Sequence, residues 1–139
     1  MKKIMKIKES IITTAISLLF IMPLTGCFKS WPVDQDGLLI TTNRQCAVLK
    51  FDVLDTRDVS ALADSLAVID TVALTINARV KWNADMTKLW PVFTLATDCK
   101  LDPKITKRCD FSQPLMWTVV SGDRTIRKTY TVTLTQVQK

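Results

Sequence analysis

Cysteine, tryptophan and aspartate are the side chains of this 139-residue sequence with chemistry to offer, and histidine is absent. Without an imidazole, Ser-His-Asp and Cys-His nucleophilic catalysis are excluded. No S-x-x-K motif supplies a serine–lysine substitute. Glycoside hydrolysis would need two carboxyl groups about 5–9 Å apart in a cleft. From Cys27 onward the acids are all aspartates, many of them at turn positions. Asp34-x-Asp36-Gly37 has the outline of a calcium loop, but an EF-hand register puts Pro32 first and Asn43 twelfth, where aspartate and a bidentate glutamate belong. Asp52, Asp55 and Asp58 read better as an acidic strand end. With no histidine and no C-x-x-C pair, zinc is disfavoured. The residues point to no catalytic group, no metal and no cofactor.

The cysteines divide by position. Cys99 and Cys109 lie either side of Asp102-Pro103, a turn signal, and form the favoured disulfide pair. Closing so short a loop would stabilise the fold by about 2–3 kcal/mol. The alternative is that Cys46, Cys99 and Cys109 are all buried thiols acting as small hydrophobes. Cys27 stands apart. It follows Leu24-Thr25-Gly26, an apolar run from Ile11 to Leu24, and Lys2, Lys3, Lys6 and Lys8. A charged start, a short apolar middle and small residues before the cut define an export signal. The run is shorter than the ~20 residues that a spanning helix needs. Leu24-Thr25-Gly26-Cys27 resembles the lipobox of bacterial lipoproteins. That resemblance implies cleavage after residue 26 and acylation of Cys27, palmitate included. Two or three acyl chains would hold the protein lastingly at a membrane, at about 0.8 kcal/mol per buried CH₂.

Trp31, Trp82, Trp90 and Trp117 could offer flat faces to sugar rings. Trp82 and Trp117 continue inward-facing alternations and read as core. Trp90, next to Pro91 in a connection, is the candidate ligand-binding residue. Beyond residue 26 there are 15 basic and 12 acidic side chains. Lys104, Lys107 and Arg108, and again Arg124, Arg127 and Lys128, group as solvated turns and edges. No basic stripe with interleaved aromatics points to nucleic acid.

The elements that must position these residues are strands. Val72, Leu74, Ile76, Ala78, Val80 and Trp82 share one face of a strand. Tyr130, Val132 and Leu134 alternate with four threonines, whose branched polar side chains suit a pleated solvent face. Leu115–Ser121 and Thr129–Thr135 flank Ser121-Gly122-Asp123-Arg124 as a hairpin. Ala47, Leu49, Phe51 and Val53 alternate in another strand, and Phe93, Leu95 and Thr97 in a further one. Residues 58–69 fit either a short helix or an irregular crossover. Leu38-Leu39-Ile40 could add an edge strand. The organisation expected is an export signal over 1–26, a lipidated N-terminus and tether over 27–45, and one domain over 46–139. The fold class is all-β, a small antiparallel sandwich.

Six stretches carry a family resemblance: Val72-Ala73-Leu74-Thr75-Ile76, Asp85 to Pro91, Phe93-Thr94-Leu95-Ala96, Cys109 to Pro114, Trp117-Thr118-Val119 and Lys128 to Thr133. Together, over residues 46–136, they resemble a module of Bacteroidota lipoproteins. The resemblance implies an immunoglobulin-like β-sandwich, often the N-terminal spacer of a larger surface lipoprotein, some of these being assigned to carbohydrate metabolism. The Ser-Gly-Asp-Arg turn and the extra cysteines depart from the pattern, and no further domain follows the module in this sequence. The expected function is a non-catalytic lipoprotein module of the cell envelope, held at the outer membrane by lipid, as a spacer, adhesion or assembly component with an envelope protein as partner. The alternative is a small surface glycan-binding accessory protein that uses exposed tryptophan.

Overall fold

A computed structural model describes residues 30–139. The export segment, the Cys27 anchor and residues 27–29 of the expected tether lie outside the described residues. Trp31–Lys139 forms one compact unit.

The described residues build seven strands in two sheets. In order they are β1 (Val48–Leu54), β2 (Val68–Asp70), β3 (Thr75–Val80), β4 (Trp90–Leu95), β5 (Lys100–Asp102), β6 (Leu115–Val120) and β7 (Arg127–Gln136). One sheet pairs β1 with β4; the other runs β2-β3-β7-β6-β5. The pairings are antiparallel except β3 with β7, which is parallel. The inner faces of the two sheets close on one core. Phe51 and Val53 of β1 meet Ile76, Ala78 and Val80 of β3, Trp117 and Val119 of β6, and Tyr130, Val132 and Leu134 of β7. The all-β sandwich is therefore as the alternations predict, with one parallel pairing in place of a wholly antiparallel arrangement.

Three local departures have clear causes. In β1 the alternation is interrupted by a register shift between Val48 and Lys50. A bulge adds one residue to a strand and so exchanges its faces. Cys46 and Val48 point inward before it, Phe51 and Val53 after it, and Leu49 is left 63% exposed. The strand expected over 72–82 begins only at Thr75. The Asp70 carboxylate accepts from the backbone N–H groups of Val72 and Ala73, both at 2.8 Å. This draws the chain into a turn that ends on Leu74 at φ +56°. Side chain–backbone bonds of this kind compete directly with the strand ladder. Val72 is consequently 93% exposed. At the other end β3 stops at Val80, so Trp82 is not core but half-exposed, with the Lys139 ammonium 5.2 Å from its ring centre. Residues 58–67 form an irregular crossover carrying bridges at Ser60 and Leu62.

Residues 31–45 are not a free tether. They pack as a strap across the β6–β7 turn. The Gly122 carbonyl accepts from Thr41 N–H at 2.9 Å, and the Asn43 carbonyl accepts from Asp123 N–H at 3.0 Å. Gly122 has to be glycine here, because a Cβ would stand 2.3 Å from the Thr41 hydroxyl and 2.7 Å from Asp98 Cβ. The expected Leu38–Ile40 edge strand is reduced to one bridge between Val33 and Leu39.

Candidate functional site: two poles of the sandwich

At the strap pole, Asp34 is the organising residue. Its side chain is only 9% exposed. One carboxylate oxygen accepts from the backbone N–H groups of Asp36 (3.0 Å) and Leu38 (2.9 Å). The other takes Lys100 Nζ at 2.7 Å and Arg124 Nε at 2.9 Å. The Lys100 ammonium beside it, helped by the two backbone donors and Arg124, holds the Asp34 carboxyl far below the usual carboxylate range. Lys100 also donates to Asp36 at 2.6 Å, and the two carboxylates raise its own pKa. Arg124 continues the network into the carbonyls of Ser121 (2.8 Å) and Leu39 (3.1 Å). The outline of a calcium loop at Asp34-x-Asp36 is thus an anion pair that internal cations neutralise. Arg124, read from sequence as a solvated turn residue, is 16% exposed and central.

Toward the opposite pole the segment Pro103–Asp110 arches away from the sheet. β5 pairs only with Thr118–Val120 of β6, so the first half of β6 is left beside the arch. Three ties hold the arch. Lys104 Nζ lies 3.2 Å from Asp36. Arg108 donates to the Asp55 carbonyl at 2.6 Å and to Asp58 Oδ1 at 2.7 Å. Cys109 exchanges backbone hydrogen bonds with Leu89 at 2.7 and 3.1 Å. Between arch and strand lies an open groove of about 640 Å³. Ile105, Leu115, Met116 and Trp117 give it apolar surface; Lys104, Lys107 and Arg108 supply cations. Trp117 is 6% exposed and packs edge-on to Phe93 at 5.3 Å and tilted against Phe111 at 5.9 Å. Met116 is 66% exposed.

The sequence-derived candidates fall differently. Trp117 is core, as its alternation predicts. Trp90 is half-buried at the start of β4, opposite Leu54, and lies outside the groove. The favoured Cys99–Cys109 disulfide is not formed, and the two cysteines are free thiols like Cys46. Cys109 is bridged to Leu89, immediately before β4, whereas Cys99 follows the far end of that strand. The six residues of β4 span about 20 Å, and a disulfide tolerates Cα atoms no more than ~7 Å apart. The Cys99 thiol instead donates to the Gln45 carbonyl at 3.0 Å. Cys46 is buried, and burial pushes its thiol pKa up. The groove itself was hidden from sequence because it joins residues 103–110 to residues 115–117 through an arch with no periodic signal.

A protein-family comparison now bears on the whole module. The family described as "SGBP, N-terminal" matches residues 55–134, more than half of the chain. The chain belongs to that family. This places it in the Bacteroidota surface-protein group that its motifs resemble. Among solved structures, a candidate glycoside hydrolase from Bacteroides thetaiotaomicron is 24% identical with a TM-score of 0.55, covering 71% of this chain and 27% of that protein. The likeness shows a shared fold, and this chain corresponds to about a quarter of its neighbour's length. A candidate secreted protein from Bacteroides fragilis is 14% identical with a TM-score of 0.48, covering 69% of this chain and 97% of that one. No curated protein matches the chain.

Proposed function

We propose that this SGBP N-terminal module is a non-catalytic, lipid-anchored spacer of a cell-surface glycan-binding assembly. The single observation that carries the reading is the pole-to-pole course of the chain. The strap is fixed at the β6–β7 turn by Asp34, Lys100 and Arg124. β7 then runs ten residues, about 33 Å, away from that turn. At its last residue, Gln136 Nε2 donates to the carbonyls of Trp82 and Ala84, both at 2.8 Å, at the far end. Chain entering at one pole and leaving at the other is what a rigid spacer requires. An anchor at Cys27 would then set the strap pole nearest the membrane.

The aspartates support a non-catalytic role. A general acid for glycoside hydrolysis needs a raised carboxyl pKa. Asp34, Asp36, Asp55, Asp70, Asp85, Asp110 and Asp123 all move the other way, through hydrogen bonds to cations, hydroxyls or turn N–H groups. A glycan-binding accessory role for the same module is favoured by the arch groove and not by Trp90.

The test has two parts. In cells fed a fatty-acid analogue, the protein should label and fractionate with the outer membrane, and Cys27→Ser should abolish both. Spin labels at Gln35 and Gln138 of a cysteine-depleted chain should give one narrow distance. A broad distribution would sink the spacer reading, and an unlabelled, membrane-free protein would sink the anchor.

A further inference from the structure

We propose that the groove between the Pro103–Asp110 arch and the first half of β6 binds an acidic oligosaccharide, one carrying hexuronate carboxylates or sulfates. The inference rests on reading the chain as a module of a glycan-binding assembly, and adds the site and the ligand class.

Its volume, about 640 Å³, lies within the ~300–1,000 Å³ usual for ligand sites. Its surface is of two kinds. Ile105, Leu115, Met116 and Trp117 line the groove together as its apolar strip. The C–H face of a pyranose can lie against such a strip, as Met116 is already open to solvent. Thr87 and Thr106 add hydroxyls within the same lining.

The charge then selects the sugar. Lys104, Lys107 and Arg108 stand against one acid in the lining, Asp110. That carboxylate accepts from the Ser112 N–H at 2.9 Å and the Ser112 hydroxyl at 2.6 Å and keeps its charge, which leaves three cations to one anion in the lining. Lys104 and Arg108 spend part of their charge on Asp36 and Asp58. Lys107 makes no ion pair among the described residues and is exposed. A neutral glycan would use the apolar strip and leave this ammonium unmatched; an anionic one uses both. An acidic peptide laid along the open edge of β6 would use the charge, but its side chains offer no continuous C–H face for the strip.

Titration of the full-length protein in detergent tests this. The probes are oligogalacturonate (carboxylate only), chondroitin sulfate (carboxylate and sulfate), the carboxyl-reduced neutral counterpart of oligogalacturonate, and poly-glutamate. Binding of one or both acidic glycans is expected, weakened by salt. It should fall about tenfold or more in Lys107→Glu with the thermal midpoint unchanged, and stay intact in Lys50→Glu, the same charge reversal on β1. Equal binding of the neutral glycan, or indifference to Lys107→Glu, overturns the groove site while leaving a glycan-binding module standing. Preference for poly-glutamate assigns the groove to peptide and overturns it too. Binding of no glycan at all, by a chain still anchored and rigid, overturns the site and leaves the spacer reading intact.

Discussion

The two poles of this sandwich are built on opposite principles. At the strap pole, Asp34, Lys100 and Arg124 are nearly dry, and their charges are spent on one another and on backbone groups. At the arch pole the packed part is aromatic: Trp117 packs ring against ring with Phe93 and Phe111, and Lys104 and Lys107 of the groove lining face water. A buried charged network fixes position but offers nothing to a ligand, because its donors and acceptors are already satisfied. An aromatic floor with exposed cations stabilises the fold and still leaves valence for a partner. The strap pole therefore reads as attachment and the arch pole as recognition.

The largest expected effect breaks the arch pole from beneath. Trp117→Ala removes the ring that Phe93 and Phe111 pack against and should destabilise the domain by about 3–5 kcal/mol, as large aromatic deletions in cores do. Denaturant unfolding at neutral pH measures it. A loss under about 1 kcal/mol would mean that the ring belongs to the groove more than to the core.

Gly122→Ala attacks the strap pole, with a smaller cost and a different signature. The new methyl meets the Thr41 hydroxyl and Asp98 Cβ inside ordinary contact distance, so strap or turn must shift. Overpacking of this kind costs about 1–3 kcal/mol. The strap should give way first, with limited proteolysis cutting within residues 31–45 while the strands stay protected. Simultaneous loss of both would show that strap and sandwich are one cooperative unit.

Acid loads the strap pole without mutation. Asp123 is held at about 2, chiefly by the Ser121 hydroxyl and then by Thr125, against a reference of 3.8; Asp34 lies lower still, through Lys100 first. Folded pKa values below the unfolded ones mean stability that is fully present above the unfolded value and lost as pH falls through the folded one. The thermal midpoint should decline from about pH 4 toward pH 2, with strap cleavage leading global unfolding. Lys100 has the opposite sign: its pKa is raised, so its contribution holds below 10.5 and is lost as pH rises above it.

What the sequence disclosed follows from what alternation can encode. Tyr130, Val132 and Leu134 against four threonines fixed β7 because both faces obey one period and no side chain competes with the ladder. Val72–Trp82 obeyed the same period yet yields only Thr75–Val80 as strand, because the Asp70 carboxylate captures two N–H groups and turns the chain. The β1 bulge reversed the inward set at Leu49 for a reason equally invisible to a count of hydrophobic residues. The poles were the least legible. Asp34 meets Lys100 and Arg124 across separations of 66 and 90 positions, and no local pattern couples them. The one hint was an acidic pair beside a glycine with no calcium loop around it.

The smallest effect reads both poles at once, through the thiols. Cys46, directly after the strap, is 5% exposed, its thiol within 3.2 Å of the Val119 carbonyl and pushed up in pKa by burial. Cys109 is half-buried in the arch, also pushed up by burial. Thiolate is the reactive form and burial raises both thiols, so access is what sets Cys46 behind Cys109. A maleimide probe at neutral pH should therefore modify Cys109 before Cys46 in the native protein. Gly122→Ala should raise the Cys46 rate severalfold and leave Cys109 where it was, since the strap runs directly into Cys46 alone. Mass mapping of the labelled peptides separates the sites. If Cys109 accelerates equally, the poles are mechanically coupled and the division between attachment and recognition fails; if neither changes, the strap shifts without opening, and its hold on the turn is stronger than the contact at Gly122 implies.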